Sequence, residues 1–239
     1  MNRLKKLFIL LIISLSVYLI YYFTNNNSLT YLSLGDGLAI GENSYGGITY
    51  SYNQHFKDYL DKNEKLGIYI DQYNSKTKSL NSLYNDILKD KKITINNNTY
   101  TLKRLLQEAD IITISIGLND VIYEYNIKNK PYLSRYEEDK IIKFITDNYE
   151  SLLKEIRRYT KRKIYLIGYP YHNTKYDKLL KKLNNYLQQL SLDNDNIIYI
   201  NSKAILDDSC YDKNNTLFPN SKGYEKIAEN LKIQYKSHK

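Results

Sequence analysis

The sequence predicts an α/β fold of three layers, a parallel sheet with helices on both faces, preceded by a single apolar N-terminal helix. Three observations carry this. Short apolar or β-branched runs at residues 29–34, 66–70, 111–116, 163–167 and 197–200 alternate with segments whose apolar residues recur at helical spacing. Strands alternating with helices in this way form parallel sheets buried on both sides. Two of the runs end in tight turns, Gly35-Asp36-Gly37 and Gly117-Leu118-Asn119-Asp120, at strand ends where such folds place their ligands.

In chain order, Arg3, Lys5 and Lys6 precede an uncharged apolar run over residues 7–23, and the composition turns polar from Thr24 to Asn27. As a helix this run spans about 26 Å, slightly short of a hydrocarbon core of roughly 30 Å. Tyr21, Tyr22 and Phe23 fall where an aromatic belt belongs. The reading is a cytoplasmic basic flank at 1–6, a transmembrane signal anchor at 7–23, a short linker at 24–28 and a main domain over 29–239 outside the membrane. Cleavage at the small pair Ser14 and Ser16 would leave residues 17–23 as an exposed apolar tail, which favours an uncleaved anchor. The absence of a Cys after the run argues against a lipoprotein.

The strand at 29–34 leads into the first glycine turn. A helix over 50–60, a strand over 66–70 and a helix over 80–88 follow, then a hairpin or loop excursion over 93–100 around Asn96, Asn97 and Asn98. A short helix over 102–109 feeds the β-branched strand 111–116. Ser134 and Glu137 form a capping box, and apolar residues recur from there at Ile141, Ile145, Tyr149, Leu152, Ile156 and Tyr159, the longest amphipathic helix of the chain. The strand 163–167, a helix over 176–190, the strand 197–200 and a closing helix over 221–235 complete the pattern, the last with Tyr224, Ile227, Ala228 and Leu231 on one face.

Composition narrows the function classes. One Cys among 239 residues excludes a disulfide framework, and with three His it leaves no structural zinc site or other metal or cofactor motif to propose. The net charge is +9 with 27 Tyr and no Trp. Lys, Asn, Ile and Tyr are abundant together, a pattern that AT-rich coding produces as readily as selection for a basic surface. Removing the three charges of the N-terminal flank leaves the main domain at about +6.

The turns and the segment before the last helix carry a resemblance. Leu34-Gly35-Asp36-Gly37-Leu38-Ala39-Ile40-Gly41, Gly117-Leu118-Asn119-Asp120, and Asn215-Thr216-Leu217-Phe218-Pro219-Asn220-Ser221-Lys222-Gly223-Tyr224 are similar, in order and spacing, to the motif blocks of the SGNH (GDSL) hydrolases. That family comprises esterases and acyl hydrolases with a flavodoxin-like parallel sheet. The resemblance runs from Leu29 to Tyr235. It implies a nucleophilic Ser in the first block and, in the last, a general-base His oriented by an Asp three residues earlier. Here those positions hold Gly37, Phe218 and Asn215. Glycine offers no nucleophile, phenylalanine takes no proton, and asparagine cannot stabilise an imidazolium. Loss of nucleophile or base costs on the order of 10⁶ in turnover, so the covalent mechanism is not expected here.

What the resemblance leaves is the electrophile-binding half of the site. Its oxyanion donors carry over to the backbone of Gly37, to a second-block glycine at Gly47 or its neighbour Gly46, and to Asn119. Gly37 and Gly117 equally serve as turn formers, and Asn119 as a loop brace. Phe218 places an aromatic wall where the base would stand. His172, just past the strand 163–167, is the candidate substitute base, while Asp36 and Asp120 read as structural. The cluster Lys154, Arg157, Arg158, Lys161, Arg162 and Lys163 complements a helix carboxyl end or meets anionic lipid or wall polymer. Nothing recommends nucleic acid. The expectation is a membrane-anchored, extracytoplasmic pseudoenzyme that binds an envelope carbohydrate, acylated glycan or lipid. Two alternatives stand beside it: an active ester hydrolase or acyl transferase with a relocated nucleophile or polarised water, and a structural partner in an envelope complex.

Overall fold

The computed structural model describes residues 3–25, 28–95, 97–212 and 217–239. A helix α1 (Arg3–Asn25) precedes β1 (Leu29–Gly35), α2 (Gly37–Ile40), α3 (Tyr52–Asn63), β2 (Leu66–Ile70) and α4 (Leu80–Leu88). A hairpin of β3 (Lys92–Ile95) and β4 (Asn98–Thr101) leads through α5 (Leu102–Glu108) into β5 (Ile111–Ser115) and α6 (Leu118–Asn126). The chain ends with α7 (Arg135–Arg157), β6 (Ile164–Ile167), α8 (Asp177–Leu192), β7 (Ile197–Ile200), α9 (Ser202–Ile205) and α10 (Ser221–His238).

Five strands form one sheet in the order β2-β1-β5-β6-β7, every pairing parallel. α3 packs on α10, while α4, α7 and α8 pack in series, with α6 against α7 and α8. The α/β expectation holds strand by strand. α6 was not anticipated, because Gly117 to Asp120 reads as a turn; in the fold it is the turn that opens a helix, with Gly117 at φ 117° as its cap. Capping boxes begin α3 (Ser51 with Gln54), α4 (Ser79 with Ser82) and α7 (Ser134 with Glu137), so each start satisfies otherwise unpaired N–H groups.

Buried tyrosine does much of the work in a core without tryptophan. Tyr31, Tyr52, Tyr73, Tyr149, Tyr169 and Tyr224 are fully enclosed or nearly so. Tyr31 meets Phe56 of α3 edge to face at 5.4 Å, and its hydroxyl donates to Asn53 Oδ1 at 2.5 Å beside Thr113 Oγ1 at 3.0 Å. Asn53 closes the set by donating to the Ala39 carbonyl at 2.9 Å. This network pins α3 across β1 and β5, each polar group finding a partner away from water.

The core draws its described residues from Tyr31 to Tyr235 and none from α1. The sheet and the described core thus lie wholly within residues 29–235, and no described side chain of α1 is needed to complete them. In α1 the described side chains are Lys5 and residues 8–18, all exposed. Among the described residues no helix is long and apolar enough to cross a membrane.

Asn53→Ala removes the acceptor shared by the Tyr31 and Thr113 hydroxyls and the donor to the Ala39 carbonyl, and is expected to cost about 2–3 kcal/mol, read as a lower urea midpoint with unchanged slope.

Candidate functional site

All four turns at the carboxyl ends of β1, β2, β5 and β6 converge on one edge of the sheet. β1 and β5 approach so closely there that a Cβ on Gly35 would lie 2.3 Å from the Ser115 carbonyl oxygen. Only glycine fits. The chain then turns at Asp36, whose N–H donates to that same carbonyl at 2.9 Å. The Asp36 carboxylate is fully buried and accepts three hydrogen bonds: from Leu38 N–H at 3.2 Å, from Leu118 N–H at 3.2 Å and from the Tyr169 hydroxyl at 2.7 Å. It thus caps α2, holds the first residue of α6 and ties both to the turn after β6. Asn184 of α8 fixes Tyr169 in turn, bonding its N–H at 2.8 Å and its carbonyl at 2.7 Å. Burial pushes the Asp36 carboxyl up to about 7 against the pull of its three donors.

The Gly117–Asp120 turn is stitched to the loop after β2. Asp120 accepts from Leu80 N–H at 3.1 Å at the start of α4, and Asn119 donates both amide hydrogens, to the Lys76 carbonyl at 2.7 Å and the Lys78 carbonyl at 2.8 Å. The side-chain amide of Asn119 is therefore committed to holding backbone.

Space beside Gly37 is occupied. A Cβ there would stand 2.4 Å from Glu42 Oε2 and 2.9 Å from Phe218 Cζ. Phe218 is buried, and Ser44 Oγ donates to its carbonyl at 3.3 Å. The Tyr224 hydroxyl holds the Glu42 carbonyl at 2.5 Å. Glu42 faces Lys76 at 3.7 Å, and Lys76 also donates to the Gly46 carbonyl. Burial raises the Glu42 carboxyl above its usual range, with Lys76 opposing. A carboxylate and an aromatic ring thus fill the space beside Gly37.

The other expected residues scatter. Gly47 is exposed, and its N–H is taken by Asn43 Oδ1 at 2.9 Å. Gly46 and Gly47 precede α3, and the loop that meets Asn119 is instead 71–79, which contains no glycine. His172 stacks on Tyr211 at 5.2 Å, with Asp208 at 3.6 Å from its Nε2, and makes no polar contact with the first block. Asn215 lies outside the described residues. Glu42, Lys76 and Tyr169 were missed. Tyr169 could have been found from its place directly after a strand, but nothing in the sequence singles out Glu42. Among the described residues no group of His, Cys, Asp or Glu could hold a metal ion.

Next to Asn119 and Asp120 opens a cleft of ≈ 460 Å³ between α4, α6 and α7. Asn81, Asn119, Glu124 and Asn148 supply polar groups, and Tyr123 and Phe144 stand 65% and 51% exposed on its wall.

With this architecture in view, the chain matches the family model for GDSL-like lipase/acylhydrolase over residues 27–231. It belongs to that family. A search of curated protein sequences finds no match. Among solved structures the GDSL-like chain is similar to a lipase from a goat rumen metagenome, at 20% identity and a TM-score of 0.68, covering 86% of this chain and 97% of that one. It is similar to phospholipase A1 of Streptomyces albidoflavus NA297 at 12% identity and TM-score 0.59, covering 87% and 99%. The family 3 carbohydrate esterase of Clostridium thermocellum matches at 12% identity and TM-score 0.54, covering 89% and 100%. At these identities the likeness is one of fold.

Two outcomes are expected of this GDSL-like site. A carboxyl whose folded pKa exceeds its unfolded value binds its proton more tightly when folded, so Asp36 contributes stability below about pH 4 that is lost as pH rises to about 7. Asp36→Asn should flatten this dependence in denaturation measured across that range. Gly37→Ser, which must displace Glu42 and Phe218, should cost about 1–2 kcal/mol and take no label from a serine-reactive phosphonate, because Phe218, not an imidazole, is the ring beside it.

Proposed function

We propose that this GDSL-like lipase/acylhydrolase family member binds a carbohydrate or acylated glycan without cleaving it by the serine mechanism, and is held outside a membrane by its N-terminal helix. The observation that carries the reading is the occupied space at Gly37. Neither Gly37 nor Phe218 can supply the chemistry of a serine hydrolase, and Glu42 and Phe218 close the place where an ester carbonyl would be attacked. The cleft beside it has the opposite character. Side-chain amides at Asn81 and Asn148 and the carboxylate of Glu124 suit hydroxyl groups, and the exposed rings of Tyr123 and Phe144 suit the apolar faces of sugars. A structural relative named as a carbohydrate esterase supports this ligand class, although others are named as lipases.

The anchor reading rests on the sequence of residues 7–23, with residues 1–6 on the cytoplasmic side, 24–28 as linker and the domain outside. The exposure of the described residues 8–18 of α1, none of which joins the core, supports it.

One observation favours a second reading. Glu42 is a proton acceptor beside Gly37, placed to activate a water against an ester. Titration calorimetry of the full chain with neutral and acetylated oligosaccharides, alongside turnover of short aryl esters, separates the two. The expected result is binding without turnover, with Tyr123→Ala and Phe144→Ala each weakening affinity about tenfold. Turnover abolished by Glu42→Gln would favour the water route, and absence of any glycan binding would sink the first reading.

A further inference from the structure

The amino edge of the sheet carries a second cavity, ≈ 380 Å³, between the starts of β1, β5, β6 and β7 and the end of α10. Lys161, Arg162, Lys163 and Lys239 line it with a single acidic side chain, Asp110. This is the edge at which the chain enters the domain: Leu29, which also lines the cavity, opens β1. Four Cα steps separate it from Asn25, the last residue of α1, so the covalent chain holds this edge within about 14 Å of that helix end.

The charges here are not explained by the helix they follow. α7 ends at Arg157, and Arg158 pairs with Glu155 at 2.8 Å. Lys161, Arg162 and Lys163 lie beyond the last turn, where the helix dipole has faded. Arg157 instead braces their loop, donating to the carbonyls of Arg162 at 2.7 Å and Asn196 at 2.9 Å. Arg162 meets Asp110 at 3.4 Å, Lys163 donates to the His238 carbonyl, and Lys239 pairs with Glu64. Lys161 is exposed with no ion pair or hydrogen bond among the described residues. A loop held by backbone bonds thus presents cations around a cavity of headgroup size.

We infer that this cavity and its rim bind the phosphate headgroups of anionic lipid in the leaflet from which α1 emerges, setting the amino edge of the sheet on the membrane. The inference rests on the anchor reading, and its test separates the two. The fragment 28–239 and the full chain are floated with vesicles of phosphatidylcholine alone or of equal parts phosphatidylcholine and phosphatidylglycerol. The fragment is expected to float only with phosphatidylglycerol, and the full chain with both. Replacing Lys161, Arg162 and Lys163 by Gln should lower the fragment's partitioning about fivefold per charge, about a hundredfold together. Lys239→Gln alone, just past the end of α10 and exposed, should lower it about fivefold with the urea midpoint little changed. Removing Lys128, Lys175 and Lys178, at the other end of the sheet, should change little. Equal loss in that control, or a fragment that ignores phosphatidylglycerol while binding soluble polyglycerol phosphate, overturns the inference. A full chain that fails to float on phosphatidylcholine, while the fragment still binds phosphatidylglycerol, overturns the anchor alone.

Discussion

A carboxylate taken out of water is costly unless donors surround it, and Asp36 finds its donors in three separate places: its own turn, the first turn of α6 and the hydroxyl of Tyr169. Each donor belongs to a loop at the end of a different strand. Satisfying this one group therefore fixes the relative positions of the turns after β1, β5 and β6, and Asn184 carries the constraint outward to α8. The fourth turn, after β2, is joined through Asn119 and Asp120. The edge is rigid because its polar groups are spent on one another.

That expenditure also decides what the edge can do. The Asn119 amide, bound to two carbonyls, is not idle. Gly37 stands where its family resemblance puts a nucleophile, yet the volume a side chain would need is taken by Glu42 and Phe218. The open space with uncommitted polar groups lies one helix turn further along α6, between Tyr123 and Phe144. The family's architecture is present, and the space beside Gly37 is given over to packing.

The sheet was legible because residues 29–34 and 111–116 are runs of apolar and β-branched residues with glycine at their ends, and α7 because Ser134 and Glu137 mark its start. α6 was not, since four residues that open a helix look the same as four that merely reverse direction until Asp36 is seen holding the Leu118 N–H. Gly46 and Gly47 drew attention by residue type, whereas the loop that meets Asn119 is built from Asn74, Ser75 and Lys76 and has no glycine to mark it. Which loop reaches Asn119 is a property of the sheet. Glu42 was invisible for the same reason: its carboxylate matters through a backbone pairing of Glu42 with Ile48 that folds the chain back beside Gly37. The chemistry that Gly37 and Phe218 cannot supply was plain, because a residue's functional groups can be read from its type alone.

Because every strand of the sheet runs the same way, the edge where the chain enters and the edge that carries the cleft are separated by the length of a strand. For the seven residues of β1 this is about 23 Å. That distance is fixed by the sheet. Were the entry edge to rest on a surface as proposed, the cleft would face a layer one sheet-length away from it, and a molecule lying flat on that surface would be out of its reach.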